Sequence, residues 1–384
     1  MRQKSGGERV RVSLRNQKFN FGENCFDLLR LLSALHVMTQ HIFRHIAHIE
    51  TSAAFNWWSG VVVLFCISGF LIPASMERSK GVGEFLKKRV FRIIPSLWIC
   101  IIVGVVVAAA FCGFVYNETF LHWFLGQLCF IRDFPQPDFI SSFGVGNFQG
   151  SLWTMIYTVQ FYIITAFIYR LLKNRKIGVW IAVWVFSLAL NLVTPHIQSI
   201  VSVEVKNIIS HTCLPFFYIY FTGWFIYRWR EKIVPFLSRI KILLILLIIA
   251  RGIWIMHGAV RIGEYQDMII VLLLVMLTIG AGYSFGKLRF KIDLSYGLYL
   301  YHMIVVDVFV QMGWTDEIWY VLGVYAVSAV VAFVSYYLVD DTIAKLTKGK
   351  KQKKQPPKAP VPPKAPPQPA RVPAVSIAAD ESDF

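Results

Sequence analysis

The feature that most restricts the fold of this chain is a series of apolar runs, each long enough to cross a bilayer. A hydrocarbon core of about 30 Å requires roughly 20 residues of helix, and a backbone in lipid must satisfy its hydrogen bonds internally. Of the 384 residues, 56% are hydrophobic and only 16% are charged, which excludes a soluble multidomain enzyme. The runs predict an all-α integral membrane protein, a polytopic bundle of about ten helices at 26–45, 56–76, 93–115, 152–172, 177–194, 210–227, 240–257, 267–285, 294–312 and 318–339.

The distribution of charge predicts the orientation of this bundle. The net charge of +17 does not indicate a nucleic-acid partner, because the cations occupy short clusters between the apolar runs. With a cytoplasmic N-terminus and ten spans, 33 of the 39 lysines and arginines fall in cytoplasmic segments, and only 5 fall on or near the outer side. Because cations resist translocation, we expect both termini to be cytoplasmic.

Three regions differ in composition. Residues 1–25 form a basic N-terminal arm, residues 26–340 a membrane domain, and residues 341–384 a Lys/Pro-rich tail that cannot bury a core and is expected to be disordered near anionic headgroups. The connection 116–151 is long for a hairpin between helices, and we expect it to re-enter the membrane or cover a site. Six scattered cysteines without a CxxC pair predict neither disulfides nor a zinc site.

The first span carries two side chains that are costly in lipid, Arg30 and His41. Eleven helical steps of about 100° bring them to within roughly 20° of the same face, at a separation of about 16 Å along the axis. A neutral imidazole removes a proton from a hydroxyl near pH 7, and a nearby guanidinium stabilises negative charge, so the stripe suggests acyl transfer to an alcohol. The alternatives are an arginine that snorkels to the cytoplasmic interface and a histidine satisfied within the bundle.

Two further groups each allow a structural and a functional interpretation. Arg89 and Arg92, three residues apart, either anchor the chain on the cytoplasmic side or clamp phosphate oxygens. Ser68, beside Gly69, is either a small residue for close helix packing or a nucleophile, although no GxSxG elbow surrounds it. The residue types alone leave both interpretations open.

Aromatic and polar side chains recur in the fourth and ninth spans. The fourth span carries Trp153, Tyr157, Gln160 and Tyr162, which we expect near its outer half. They are either interfacial belt residues or a sugar site, because sugars stack on aromatic rings and their hydroxyls meet amides. In the ninth span Tyr299 and His302 share one face at a spacing of three. A buried relay from His302 to Asp307 is one interpretation of that span, and hydrogen-bonded helix packing is the other.

Five segments, taken in order, resemble the membrane acyltransferase-3 family, integral membrane proteins that O-acetylate bacterial surface polysaccharides and related glycans. The resemblance covers about residues 24–340. It implies an acetyl-CoA donor that reaches the site from the cytoplasm and a carbohydrate hydroxyl as acceptor, in a multi-pass protein of the bacterial inner membrane surrounded by lipids. The five segments are FDLLRLLSALHVMTQH, GVVVLFCISGFLI, FLKKRVFRIIPSLW, SLWTMIYTVQFY and DLSYGLYLYH.

The resemblance also implies roles for individual residues. By motif position, Arg30 and His41 correspond to the essential arginine and histidine of the family, with His41 as the base or proton relay. Arg89 and Arg92 match its basic cytoplasmic motif, which is expected to engage the phosphates of the coenzyme. Other recurrent positions, with less definite roles, are matched by Ser68, Gly69, Trp153, Tyr162, Tyr296, Tyr299 and His302.

The fourth segment departs from the family pattern. Where the family reads WSLSVEEQFY, this chain reads WTMIYTVQFY, so Thr158 and Val159 stand where glutamates are usual. A carboxylate role cannot be carried over to these positions. Either another acid substitutes, with Asp293 and Asp27 as the candidates, or the acceptor is handled differently.

The expected function is therefore an acyl-CoA-dependent O-acetyltransferase without a metal, acting on O-antigen of lipopolysaccharide, exopolysaccharide or a lipid-linked oligosaccharide. One alternative is transfer of another acyl group, such as succinyl, to a periplasmic glucan. A non-enzymatic alternative is a transporter or flippase that uses the same intramembrane polar residues. The sequence carries no signal for an oligomeric state.

Overall fold

The computed structural model describes residues 20–131, 134–148 and 150–343 together with Lys345, and these residues contain helices and no strand. Nearly all of the predicted N-terminal arm and C-terminal tail lies outside the described residues. The helices are α1 (Phe26–His45), α2 (Ala53–Asn56), α3 (Gly60–Glu77), α4 (Val82–Cys112), α5 (Glu118–Leu128), α6 (Asp138–Ser141), α7 (Trp153–Leu172), α8 (Ile177–Ile200), α9 (Val203–Ser210), α10 (Phe217–Arg228), α11 (Arg230–Met256), α12 (Met268–Gly282), α13 (Ser295–Gln311) and α14 (Ile318–Ser335).

Each of the ten predicted spans coincides with a helix, so the prediction of an all-helical fold is confirmed. Among the described residues, six helical stretches are long and apolar enough to cross a membrane. Helices α10, α12 and α13 have only 12, 15 and 17 residues, and α1 is long enough but too polar. The count of ten remains a prediction. The six stretches are Ala53–Glu77, Val82–Cys112, Trp153–Leu172, Ile177–Ile200, Arg230–Met256 and Ile318–Asp341.

The observed helix boundaries differ from the predicted ones near prolines, which interrupt some helices and are tolerated inside others. Helix α8 runs to Ile200, past the predicted end at 194, with Pro195 inside it. Helix α10 begins at Phe217, because Pro215, which has no N–H, lies in a 3-10 turn at Leu214–Phe216. Helix α3 continues through Pro73 without a break.

Consecutive long helices alternate in direction, so the bundle has two ends, which we name the Arg30 end and the His41 end. At the Arg30 end, the N–H of Cys25 donates to the Gly282 carbonyl at 2.8 Å. At the His41 end, the N–H of Asp316 donates to the Ile46 carbonyl at 2.7 Å. Helix α1 packs against both α3 and α13, which places its polar stripe inside the bundle.

Helices α3 and α10 touch through their backbones. A Cβ atom at Gly69 would lie 1.9 Å from the Tyr220 carbonyl oxygen, and one at Gly223 would lie 2.5 Å from the Cys66 carbonyl oxygen. Only glycine allows this approach. The packing interpretation of the Ser68-Gly69 pair is therefore correct for Gly69.

The described part of the connection 116–151 packs beside the bundle, where α5 and α6 bury aromatic rings against α4. The following turn is held by α13, because Asp307 accepts from the Val145 N–H at 3.1 Å and Gln311 accepts from the Gly144 N–H at 2.8 Å. The Asp307 carboxylate therefore serves this turn. These contacts favour the packing interpretation of the span over a relay from His302 to Asp307, because Nδ1 of His302 is bound to the Leu298 carbonyl and the Asp307 carboxylate to the loop backbone.

Candidate active site

Three arginines from two helices meet at the Arg30 end. Arg30 lies near the start of α1, and Arg89 and Arg92 lie in the first third of α4. The guanidinium carbon of Arg89 is 5.9 Å from the centre of the Tyr162 ring, and Nη2 of Arg89 donates to the Ser75 hydroxyl at 3.1 Å. All three arginines lie within electrostatic range of the buried Tyr162 phenol. The fold thus joins residues that are far apart in sequence into one arginine cluster.

The carboxylates near this cluster are unevenly distributed. Asp27 pairs with Arg30 at 3.3 Å, and Asp293 is within electrostatic range of Arg30. Arg89 instead contacts the hydroxyls of Ser75 and Tyr162, and its Nε is buried with no hydrogen-bond partner among the described residues. An unpaired buried donor is costly, and a guanidinium fork matches phosphate oxygens. Arg89 is therefore the member of the cluster best prepared for an anionic ligand.

Asp340, which inspection of the sequence missed, also faces the arginine cluster. It belongs to the π-helical segment Tyr336–Asp341 that continues α14, beyond the predicted span end at 339. Its Oδ1 accepts a hydrogen bond from the Ser96 hydroxyl at 2.5 Å, and Arg92 lies within electrostatic range. Single π-helical turns recur at functional sites. The only sequence signal was an acidic pair at the end of an apolar run, which resembles an ordinary polar boundary.

Two histidines meet further along the bundle. The ring centres of His41 on α1 and His302 on α13 are 5.3 Å apart, and the His302 side chain is fully buried. Nδ1 of His302 is 2.8 Å from the Leu298 carbonyl, so Nδ1 carries the proton and donates. Nε2 then has a free lone pair, and it is buried with no partner among the described residues. This histidine pair therefore presents an imidazole nitrogen that is able to accept a proton.

Tyr299 joins the histidine pair to α7. Its ring meets the His302 ring edge to face at 6.1 Å, as expected from their shared face. The Tyr299 hydroxyl donates to the Ser151 carbonyl at 3.1 Å and lies 2.6 Å from the Thr154 hydroxyl. These bonds fix α13 against the start of α7.

One face of α7 connects the histidine pair with the arginine cluster. Thr154, Thr158 and Tyr162 follow at intervals of four and are all buried. The Thr158 hydroxyl donates to the Thr154 carbonyl at 2.9 Å, so this position contributes no charge to the stripe. Tyr162 lies at the arginine cluster and not beside Trp153, and its predicted place in a sugar site stays a prediction.

Two other predicted sugar-site residues use their polar groups inside the protein. The Tyr157 hydroxyl donates to the Ser210 carbonyl. The Gln160 amide donates to the His211 carbonyl at 2.7 Å and accepts from the Cys213 N–H at 2.6 Å. Both side chains therefore tie α7 to the segment before α10, and the Gln160 amide is engaged at both of its ends. The predicted place of Tyr157 and Gln160 in a sugar site stays a prediction.

Trp153 remains partly exposed at the His41 end. Its ring packs against Phe216 at 5.6 Å and Tyr265 at 5.9 Å between ring centres. Ser68 is also partly exposed, on the face of α3 next to the α10 contact.

His36 lies five residues before His41, off the stripe of Arg30 and His41, and it is a structural histidine. Its Nδ1 accepts from the Gly60 N–H at 3.3 Å, so Nε2 carries the proton and donates to the Phe55 carbonyl at 3.0 Å. Its ring also stacks on Phe55 at 4.3 Å. Both nitrogens are therefore occupied in holding α1 to α2 and α3.

Within the part of the chain that the structure describes, no three His, Cys, Asp or Glu side chains are grouped so as to hold a metal ion. The site consists of arginines, a phenol, hydroxyls and imidazoles. This set suits anion binding and proton transfer.

A protein-family model described as an acyltransferase domain, Acyl_transf_3, matches residues 23–338. The chain is similar to Nodulation protein 10 of Rhizobium leguminosarum bv. viciae, with 24% identity over 355 residues, which cover 86% of this chain and 96% of that protein. It is also similar to an O-acetyl transferase of Shigella phage Sf6, with 31% identity over 177 residues, which cover 44% of this chain and 52% of that protein. No solved structure matches.

Proposed function

The chain belongs to the acyltransferase-3 family, and on that premise we propose that it transfers an acetyl group from acetyl-CoA to a hydroxyl of a cell-surface polysaccharide or lipid-linked oligosaccharide. Acyl transfer by a multi-pass membrane protein follows from the family and from the six membrane-spanning stretches. The relative named O-acetyl transferase supports acetyl as the group and oxygen as the acceptor atom. O-antigen and exopolysaccharide are the acceptor classes in keeping with this proposal.

The observation that carries the proposal is the path of polar side chains through an apolar bundle. It begins at the arginine cluster, follows the buried face of α7 and ends at His41 and His302. Polar groups in lipid are costly, so a continuous path of them indicates a substrate route. An anionic donor and a proton-accepting imidazole are the two requirements of acyl-CoA-dependent transfer to an alcohol.

In the proposed orientation the Arg30 end faces the cytoplasm of a bacterial inner membrane, with ten spans and both termini on that side. The charge distribution of the sequence supports this, because 33 of 39 cations fall on the cytoplasmic side of such a topology. The end of α14 lies at the same end of the bundle as the start of α1, because Asp340 accepts from Ser96 of α4 and Arg92 of α4 is within electrostatic range of Arg30.

The donor is held at the Arg30 end in this proposal. Arg89 and Arg92 bind the phosphates of the coenzyme, and the pantetheine arm extends along the buried face of α7. Arg30 lies about 16 Å from His41 along α1. It therefore acts on the charge of the donor and not on the carbonyl that reacts beside His41.

The chemical step takes place at the histidine pair. His41 removes the proton from the acceptor hydroxyl while the hydroxyl oxygen attacks the thioester carbonyl. The new carbon–oxygen bond forms, the carbon–sulfur bond breaks, and the thiolate takes the proton from His41, so that an ester and free coenzyme A leave. The ring centre of His302 lies 5.3 Å from that of His41, and His302 acts as a positioning residue for His41.

The departure at Thr158 is accommodated without a carboxylate on α7. The candidates from the sequence, Asp27 and Asp293, lie at the Arg30 end, where Asp27 pairs with Arg30 and Asp293 accepts from Ser295. Asp340 adds a third acid at that end. We propose that these acids orient Arg30 and Arg92, while the α7 face contributes only hydroxyls.

The test is incubation of the purified protein, reconstituted in lipid nanodiscs, with isotope-labelled acetyl-CoA and surface glycans, followed by mass spectrometry and NMR of the glycan. The proposal requires a labelled, base-labile ester on a sugar hydroxyl. Ester formation with succinyl-CoA but not acetyl-CoA would assign the other acyl group. Movement of lipid-linked sugar without an ester would indicate a flippase, which the unbroken course of α3 through Pro73 does not favour.

A further inference from the structure

The loop between α11 and α12, residues 257–267, is clamped by a buried ion pair. Nε and Nη2 of Arg251 donate to the two carboxylate oxygens of Asp267 at 3.2 and 2.8 Å, and both side chains are more than nine-tenths buried. Nη2 of Arg251 also donates to the Val260 carbonyl at 2.9 Å, and Asp267 accepts from the N–H groups of Ile262 and Ile270. A buried pair with this many hydrogen bonds holds the loop in one conformation.

The clamp sets Tyr265 over an aromatic surface at the His41 end. The Tyr265 ring centre lies 5.4 Å from that of Phe216 and 5.9 Å from that of Trp153. Burial raises the pKa of Tyr265, so its phenol remains neutral, and it shares a hydrogen bond with Ser59. Tyr265 and Trp153 both remain partly exposed, so the rings are accessible from this end.

The next residue, Gln266, continues this surface toward α1 with amides. Its Nε2 donates to the Asn56 carbonyl at 3.0 Å, and the Asn56 side chain accepts from Gln40 at 2.6 Å. Gln40 directly precedes His41 on α1. Oε1 of Gln266 is buried with no hydrogen-bond partner among the described residues. Such an acceptor is costly unless a ligand supplies a donor.

These observations describe a surface suited to one ligand chemistry. The rings of Trp153 and Tyr265 offer a face on which the apolar side of a sugar can stack, and the Oε1 of Gln266 offers an acceptor for a sugar hydroxyl. The charges of Arg251 and Asp267 neutralise each other beneath the loop. Trp153, Tyr265 and Gln266 themselves present aromatic rings, a hydroxyl and an amide, which suit an uncharged sugar, and the guanidinium of Arg261 on the same loop is turned to the Tyr265 carbonyl at 3.5 Å.

We propose that Tyr265 and Gln266 form the acceptor subsite, which holds an uncharged sugar residue of the glycan at the His41 end of the bundle, with the Arg251–Asp267 pair as its positioning clamp. This inference rests on the proposed function, because it assigns a place to the carbohydrate acceptor of that reaction. It also accounts for a buried ion pair on a loop that performs no chemistry.

The experiment measures kinetic constants of the reconstituted full-length protein with acetyl-CoA and two acceptors, a neutral hexose oligosaccharide and its uronic-acid counterpart. Gln266→Leu keeps the size of the side chain and removes Oε1, so the KM for the neutral acceptor should rise about tenfold, the equivalent of one hydrogen bond. The KM for acetyl-CoA should not change. Tyr265→Ala should raise the acceptor KM further, and Tyr265→Phe, which keeps the ring, should raise it less.

Met256→Ala is the matched control, because this side chain lies directly before the same loop and is 64% exposed. It should leave both KM values at the wild-type level. If the wild type forms esters and Gln266→Leu keeps the wild-type acceptor KM, the subsite is wrong and the proposed function stands. A wild-type preference for the uronic-acid acceptor would also overturn the uncharged subsite. If the wild type esterifies neither acceptor, the proposed function fails and the subsite fails with it.

Discussion

Replacing Arg89 with alanine should chiefly impair the use of the acyl donor. In the structure the Arg89 guanidinium is held by the Ser75 hydroxyl at 3.1 Å and lies over Tyr162, with a buried Nε that has no partner among the described residues. A hydrogen bond between charged groups contributes about 1.5–3 kcal/mol, and 1.4 kcal/mol corresponds to a factor of ten. The KM for acetyl-CoA should therefore rise about 10- to 150-fold, with a smaller change in kcat.

The assay is initial-rate kinetics of the reconstituted enzyme over a range of acetyl-CoA concentrations at saturating acceptor. Arg89→Lys keeps the charge but loses the planar fork, so its donor KM should lie between those of the wild type and the alanine variant. Arg170→Ala is the control for charge alone, because Arg170 is exposed near the same end of the bundle. Its effect should be small and should disappear at high salt.

Two results would refute this reasoning. An unchanged donor KM in a folded Arg89→Ala protein would show that Arg89 does not bind the donor. If Arg89→Ala and Arg170→Ala raise the donor KM equally and high salt removes both effects, the arginine cluster contributes only general attraction between a basic surface and an anion.

Two further predictions concern packing and the histidine pair. Gly69→Ala places a Cβ 1.9 Å from the Tyr220 carbonyl oxygen, so thermal unfolding in detergent should show that the free energy of unfolding falls by about 1–3 kcal/mol or more. Gly178→Ala is the control, because a Cβ there has no atom within 4 Å, and it should be neutral or slightly stabilising. Equal stability of the two variants would contradict the close contact of α3 and α10. His302→Phe keeps an aromatic ring of similar size beside His41 but loses both imidazole nitrogens, so the positioning of His41 should be impaired and kcat should fall by at least about tenfold at an unchanged donor KM. A wild-type kcat would exclude the positioning role of His302.

Local features of the site followed from the sequence because helical periodicity alone fixes them. The stripe of Arg30 and His41 and the shared face of Tyr299 and His302 require only that each segment be helical. The long apolar runs likewise gave the helices, although four of them are too short or too polar for length and composition to show that they cross a membrane.

Relations between helices did not follow from the sequence. Tyr162 was grouped with Trp153 because both are aromatic residues of one span, yet its contact is Arg89 on α4. An almost uniformly apolar helix gives no signal for which face meets which neighbour. Gln160 shows the same difficulty, because its polar amide is used by the backbone of His211 and Cys213, more than 50 residues away.

Contacts that depend on backbone geometry could not be predicted from the sequence either. Asp340 reaches Ser96 because α14 ends in a π-helical segment, and periodicity does not predict a change of helix type. The Arg251–Asp267 pair joins two residues on either side of a loop, and in the sequence Arg251 was only one of the few cations on the outer side.

The most direct test of the account is the amount of O-acetyl ester on the surface glycan of cells that carry His41→Ala in place of the wild type. Ester is quantified by proton NMR before and after mild base, and the membrane abundance of both proteins is measured by immunoblot. The account predicts that the ester signal is lost at unchanged protein abundance. A wild-type ester signal in the His41→Ala cells would contradict the claim that the intramembrane histidine carries out acyl transfer.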